Sequence, residues 1–330
     1  MIVPQQQRAV DLKDFEILRS IPFIMVHLLC FCAFLTGWSW IAVGTCAFLY
    51  FIRMFAITGV YHRYFSHRSY KTSRPMQFVL ACMGSAAVQK GPLWWAANHR
   101  HHHRHSDTET DVHSPILHGI WWSHVGWITA KKWTDTKYSD IKDFAKFPEL
   151  MFLNKWDNVV PVCLAVSCFL FGFTLNKFWP GLGTSGWQML VWGFFISTTV
   201  LYHGTFCINS FCHILGTKRY KTGDDSRNSW LMALITLGEG WHNNHHFYPG
   251  AERQGHFWWE FDITHYCLTT LSWTGLIWDL HAAPKHLLKA GQLKAIREGI
   301  VEEDPVRTTS PTAHIPTQSI FGHTFDIGQQ

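Results

Sequence analysis

Residues 41–67 read Ile41-Ala-Val-Gly-Thr-Cys-Ala-Phe-Leu-Tyr-Phe-Ile-Arg-Met-Phe-Ala-Ile-Thr-Gly-Val-Tyr-His62-Arg-Tyr-Phe-Ser-His67. Ile41 to Val60 carries one charge, Arg53, and about 20 mainly apolar residues are enough to cross a bilayer as a helix. This stretch therefore predicts a span that runs directly into two histidines. Imidazole is a common ligand for first-row metals. A span ending in ligand residues predicts chemistry where the membrane meets water. His62 and His67 are roughly 140° apart on an ideal helix. They converge only if the span ends or unwinds between them, which Arg63-Tyr-Phe-Ser66 does not forbid.

Three further stretches have the same character: Ile21–Trp38, Val159–Leu175 and Trp187 to Cys212. Gly37-Trp-Ser-Trp40 is a tight corner between the first two spans. Asn176, Lys177, Pro180, Gly181, Gly183 and Gly186 mark a turn between the last two. The expectation is two helical hairpins. Arg8, Lys13 and Arg19 precede the first span, and Arg63, Arg68, Lys71 and Arg74 follow the second, while the corner lacks Lys and Arg. By the positive-inside rule both termini and 61–157 are cytoplasmic. Met76–Val88 is too short to span and would separate His62 from His99 if it did, so it is expected along the surface, as are Leu231–Leu237 and Tyr266–Leu280. The domain reading is a cytoplasmic segment 1–20, a membrane domain 21–300 with its cap at 61–157 and 213–300, and a mobile tail 301–330.

Composition agrees. Only 15% of residues are charged, against roughly 25% in soluble domains. The 18 tryptophans suit aromatic belts at both membrane surfaces. The net charge of +5 fits a cytoplasmic membrane face or an anionic lipid or cofactor. No basic stripe or module argues for nucleic acid. The nine cysteines are an odd count without a Cys-x-x-Cys pair, and most sit in apolar runs, so no disulfide framework is expected. The acidic and basic residues before the first apolar run, without a small-residue cleavage site, do not read as a signal peptide.

Three more clusters join the first pair: His99-Arg-His-His102-His103, Asn209 with His213, and His242-Asn-Asn-His245-His246. Helix positions i, i+3 and i+4 share a face, so each triplet is expected to converge, as are Asn209 and His213. Nine histidines exceed what one ion takes and suit two ions with open positions. His101 and His105 fall out of phase. His27, His203, His256, His265, His281, His314 and His323 are set aside. Carboxylates that accept from the other ring N–H should orient the imidazoles. Asp107, Glu109, Asp111 and Glu239 are near enough in sequence, with Asp107 and Glu239 preferred.

The spacings H-x4-H, H-x2-HH and H-x2-HH, with Asn209-x3-His213, resemble the membrane fatty acyl desaturases of the delta-9 acyl-CoA or acyl-lipid type. So do Gly59-Val-Tyr-His62-Arg63, Trp94-Trp95-Ala, Arg104-His-Ser106-Asp107-Thr108, Ser123-His-Val-Gly-Trp127, Gly223-Asp-Asp-Ser-Arg-Asn228 and Gly238-Glu-Gly-Trp-His242. The resemblance covers about residues 20–285. It implies two iron ions held by His62, His67, His99, His102, His103, His213, His242, His245 and His246, with Asn209 acting through water and O2 as co-substrate. It also implies a head-group role for Lys131, Lys132 and Trp95. Acyl-CoA members carry an Arg-Asp pair where this chain has Ala97-Asn98, which leaves acyl-CoA, acyl-lipid and acyl-carrier-protein substrates open. Tyr50, Met54, Ile57 and Thr58 approach His62 along the second span and are expected to line an acyl tunnel.

The resulting expectation is an all-α integral membrane oxidoreductase that uses O2 and two electrons to insert a cis double bond, at C9–C10 by resemblance. The chain has no haem-attachment, flavin or iron–sulfur motif, so a separate ferredoxin or cytochrome b5-type donor is expected. A di-iron membrane hydroxylase and a histidine-rich metal transporter are the alternatives. Transport needs polar groups within the spans, and these spans hold few.

Overall fold

A computed structural model describes residues 15–299. The expectations for residues 1–14 and for the tail lie outside the described residues. Among the described residues, four helices are long and apolar enough to cross a membrane: α1 (Ile17–Thr36), α2 (Trp40–Ser66), α7 (Val159–Phe178) and α8 (Gly186–Phe211). The rest of the chain forms the shorter helices α3 (Arg74–Ser85), α4 (Pro92–His105), α5 (Pro115–His124), α6 (Pro148–Lys155), α9 (Trp230–Ile235), α10 (His242–Phe247), α11 (Ile263–Trp273) and α12 (Lys285–Arg297). Among the described residues the one sheet is a pair of two-residue strands, β1 (Lys71–Thr72) and β2 (Ile277–Trp278), antiparallel with Lys71 opposite Trp278. The segments expected along the surface contain α3, α9 and α11, each too short to be a candidate span.

Local chemistry sets the ends of the spans. Gly37 turns the chain at φ 66°, a left-handed value that suits a residue without Cβ. Ser39 then caps α2 by accepting from Ala42 N–H and donates its hydroxyl to Gln188. Ser185 caps α8 in the same way. The most apolar stretches of α2 and α8 are 39% and 56% buried, against 11% and 22% for α1 and α7, so α2 and α8 form the inner pair.

α7 packs on the first part of α8, within Gly186–Ile196. α1 packs chiefly on α8 rather than on its sequence neighbour. Polar contacts explain this. Gln188 Nε2 donates to Thr36 O, Trp192 Nε1 to Gly37 O, and Cys30 meets Thr199.

The main core surrounds the C-terminal half of α2, where Ile57, Val60, Tyr61 and Phe65 meet Leu80, Leu93, Leu150 and Leu201. Each such side chain contributes about 1.5–3 kcal/mol when fully buried. Two cations, buried Arg63 and half-buried Arg100, tie the following chain to the end of α2. Arg63 reaches Glu239 at 3.1 Å and Asp262 at 2.9 Å. Arg100 of α4 grips Asp143 with two bonds of 2.9 Å and donates to the carbonyls of Phe65 and Ser66. These bonds satisfy the carbonyls that a helix end leaves open.

Candidate metal centre

The last eleven residues of α2, Ala56–Ser66, form a π-helix. Its i→i+5 bonding widens the turn, and His67 N–H donates to His62 O at 3.2 Å. The H-x4-H pair thus faces one way without the span ending or unwinding, and the two rings lie 4.8 Å apart. The spacing of five is matched to this helix type.

All nine expected histidines come together, in two groups. His62, His67, His99, His103 and His245 form the first, and His102, His213, His242 and His246 the second. The triplets do not each converge on one point, as expected from helical spacing. In α4, His99 and His103 join the first group and His102 the second. In α10, His242 and His246 join the second and His245 the first. Positions i and i+4 stay together, and the one between leans to the neighbouring group.

The nitrogens are close enough to share ions. Nε2 of His62 lies 3.0 Å from Nε2 of His245, which lies 2.9 Å from that of His103. His67 and His99 are 2.9 Å apart at Nε2, and His213 and His242 are 3.1 Å apart. Nitrogens about 2 Å from a shared ion sit roughly 3 Å from one another.

Carboxylates fix which nitrogen faces inward. His62 Nδ1 meets Glu239 at 2.5 Å, His213 Nδ1 meets Asp107 at 2.8 Å, His102 Nδ1 meets Asp111 at 2.8 Å, and His246 Nδ1 meets Asp224 at 2.6 Å. A carboxylate accepts, so each Nδ1 carries the proton and each Nε2 presents a lone pair. Nε2 of His102 and His246 is buried with no hydrogen-bond partner, which a bound cation would supply. The donor set therefore fits a pair of metal ions. A further grouping, His102 with Asp111 and His113, is not a site of this kind, because His102 Nδ1 is already committed to Asp111.

Electrostatics agree. Burial, reinforced by neighbouring imidazoles, holds His67, His99, His103, His242 and His245 well below the ordinary 6.5, so they stay neutral as ligation requires. Burial alone would raise Asp107, but the hydrogen bond and charge of His213, the Ser114 hydroxyl and Asp225 N–H together outweigh it and lower it to about 2. Burial is likewise outweighed at Asp111 by His102 and at Asp224 by His246, and both fall well below the carboxylate range. His102 is raised, because Asp111 overcomes its burial.

Sequence reasoning anticipated Asp107 and Glu239 as orienting groups. It did not choose Asp111, and it missed Asp224, although Asp224 stands in the quoted Gly223–Asn228 motif. It also missed His113, which lines both cavities described next.

A cavity of about 980 Å³ opens beside the first histidine group and is lined by Trp95, Asn98, His99, His113, Phe206 and Asn209 among others. A void of about 30 Å³, enough for a water, adjoins both groups between Thr58, His102, His242 and Asn209. Of the expected tunnel residues, Ile57 and Thr58 line this void. Tyr50 and Met54 do not line either cavity. They pack against Gly204, where a Cβ would sit 2.9 Å from each, and the Tyr50 hydroxyl donates to Ile235 O. Lys131 and Lys132 are exposed and do not line the cavity, whereas Arg19, Lys90 and Lys155 do, together with Asp135 and Asp157.

The fold and this donor set define a class: multispan membrane proteins with paired histidine clusters of metal-binding geometry. Comparison with known proteins narrows it. Residues 38–267 match the family model of fatty acid desaturases. An sn-1 stearoyl-lipid 9-desaturase of Anabaena variabilis is 35% identical over 80% of this chain and 93% of its own. One of Synechocystis is 36% identical, over 80% and 79%. An acyl-CoA C20 Delta5-desaturase of Anemone leveillei is 35% identical, over 77% and 78%. The chain belongs to the fatty acid desaturase family and is an oxidoreductase of lipid metabolism.

Proposed function

We propose that this protein introduces a cis double bond between C9 and C10 of a saturated acyl chain carried on a membrane lipid. It uses two iron ions, O2 and two electrons from a separate ferredoxin or cytochrome b5-type donor. The observation that carries the reading is the pair of histidine groups facing a narrow void at the end of a large cavity. Removing hydrogen from an unactivated CH2 exceeds any side chain, and iron with O2 supplies that chemistry when bound.

The remaining work falls to residues of this chain. His62, His67, His99, His103 and His245 would hold one ion, and His102, His213, His242 and His246 the other. Asp107, Asp111, Asp224 and Glu239 keep the proton on Nδ1 of their histidines and so keep Nε2 available. Asn209 would act through a water in the void. Trp95, Ile57 and Thr58 would hold the reacting stretch of the acyl chain beside the metals. Burial of the histidines excludes bulk water from the reacting carbons.

The choice of a lipid carrier rests on charge. Arg19 pairs with Asp135 at 3.4 Å, and Lys90 and Lys155 share the cavity with Asp157. Such mixed charge suits a neutral or zwitterionic head group better than the several phosphates of CoA. The names of the two relatives from Anabaena and Synechocystis, both lipid 9-desaturases, point the same way. Lys131 and Lys132 would then face the surrounding head groups rather than the substrate's own. The Lys and Arg bias of the loops supports a cytoplasmic side for both termini and the histidine groups.

The test is lipid profiling in a host lacking its own desaturase. Expression should yield acyl chains two hydrogens lighter, with the double bond at C9 by fragmentation, and His102→Ala should abolish them. A gain of one oxygen instead would establish hydroxylation.

A further inference from the structure

Three histidines outside the metal groups run in a chain through the membrane-side wall of the large cavity. His27 lies on α1, His203 on α8 and His124 at the end of α5. His27 Nδ1 is 2.7 Å from Phe23 O, and His27 Nε2 is 3.3 Å from His203 Nε2. His203 Nδ1 is 3.0 Å from His124 Nε2, and His124 Nδ1 is 2.9 Å from Ser210 Oγ.

The partners fix the two ends. Phe23 O only accepts, so His27 Nδ1 donates to it. The Ser210 hydroxyl donates to Phe206 O at 2.9 Å, so His124 Nδ1 donates to Ser210 Oγ. In neutral rings the Nε2 of His27 and of His124 then both accept, and His203 between them, with one N–H, donates to one at a time.

This chain crosses a thin wall. Phe23, Tyr202 and Phe206 meet in front of it, with ring centroids 5.4 to 6.3 Å apart, and all three line the cavity. Behind it α1 is poorly packed: within Ile17–Leu29 only Ser20 and Val26 are buried. Val26 belongs to a small apolar cluster with Tyr202 and Phe206, separate from the main core. The helix changes to a 3-10 turn at Cys30–Cys32, a natural hinge. Beyond the hinge Gln188 and Trp192 hold its far end. At the near end the ties include Glu16 N–H to Thr129 O, the exposed Arg19–Asp135 pair, and Phe15 just before the helix, bridged to Ala130 and set against Trp121 and Trp122. The Ile17–Leu29 segment is thus a hinged panel with few apolar ties, the kind of element that opens first.

We propose that the seam between α1 and α8 is a side door through which the acyl chain of a bilayer lipid reaches the cavity. Ser210, His124, His203 and His27 are the latch that positions this wall. The inference rests on the desaturase reading with a lipid-borne substrate. Hydrogen bonds between membrane helices are individually weak, so such a latch closes the seam and still releases it.

The test uses the full-length protein in liposomes, with phosphatidylcholine bearing a diazirine midway along one acyl chain. Photolabel should appear on Phe23 and Tyr202 and be displaced by excess unlabelled lipid. His203→Leu, which can neither accept nor donate, should speed that labelling at least threefold. In turnover it should raise the apparent KM for lipid at least threefold while kcat stays within twofold. His203→Gln, which keeps a donor and an acceptor, should restore both. An unchanged labelling rate in His203→Leu, or a fall in kcat and folded protein with KM unchanged, overturns the door. Labelling is read without turnover, so a wild-type protein that binds the probe but makes no double bond contradicts only the proposed activity.

Discussion

Asp224→Asn is the most discriminating single change at the metal centre. Asp224 Oδ2 accepts from His246 Nδ1 at 2.6 Å, while Oδ1 accepts from the hydroxyls of Thr222 at 2.7 Å and Ser226 at 2.5 Å and from Ser226 N–H at 3.1 Å. An amide cannot serve both sides. If its oxygen stays with Thr222 and Ser226, its NH2 faces His246 Nδ1 and drives the proton to Nε2, removing the lone pair meant for the ion. If it flips, donors meet donors at Ser226. Unflipped, His246 loses its fixed tautomer; flipped, it keeps the tautomer only against the donor clash at Ser226 N–H. Loss of such a partner typically costs roughly 10- to 100-fold in metal affinity, or about 1.4–2.7 kcal/mol. The weakening should fall mainly on the second ion, because His246 belongs to the second group. Anaerobic Fe2+ titration of the purified, metal-stripped protein, with bound iron counted, measures it directly. If both ions bind the variant as tightly as they bind the wild type, the carboxylate does not set the tautomer and the argument fails.

Three further outcomes are expected. Gly84→Ala would place a Cβ 2.1 Å from the ring of fully buried Tyr61, whose hydroxyl is held by Ser85 and Lys90 O, so a thermal melt should show a loss of about 1–3 kcal/mol. No loss would mean that Tyr61 moves freely. Ile57→Trp would fill the small void beside the histidines and shift the products toward shorter acyl chains, and an unchanged profile by gas chromatography excludes Ile57 from the acyl path. His256 is lowered from 6.5 to about 3 by burial and then by Arg219. Below pH 6.5 the unfolded chain therefore takes up its proton first, so the stability from neutral His256 is complete above that value and is lost as pH falls toward 3. His256→Phe should flatten the decline of melting temperature between pH 6.5 and 4, and an equal slope would contradict this.

The spans were legible because length and apolarity alone decide them, and the nine histidines because their spacing is short-range. What escaped depends on long-range geometry. Asp224 is 22 residues from His246, and no local pattern pairs them. The division of each triplet between two groups arises because positions i+3 and i+4 lie on opposite sides of position i. That difference matters only when two ions stand side by side. The α-helical ruler failed at His62 and His67 because the chain adopts a wider helix there. The packing of α1 on α8 was hidden in side chains, such as His27 and His203, that look isolated in sequence and meet only across the fold.

The shared helices make the two ion pockets mechanically dependent. α4 and α10 each lend ligands to both, so filling one pocket freezes the very backbone that must present donors to its neighbour. Occupancy should be cooperative: the half-loaded protein is disfavoured, and a cell short of iron would hold a mixture of empty and complete molecules rather than a population of singly charged ones.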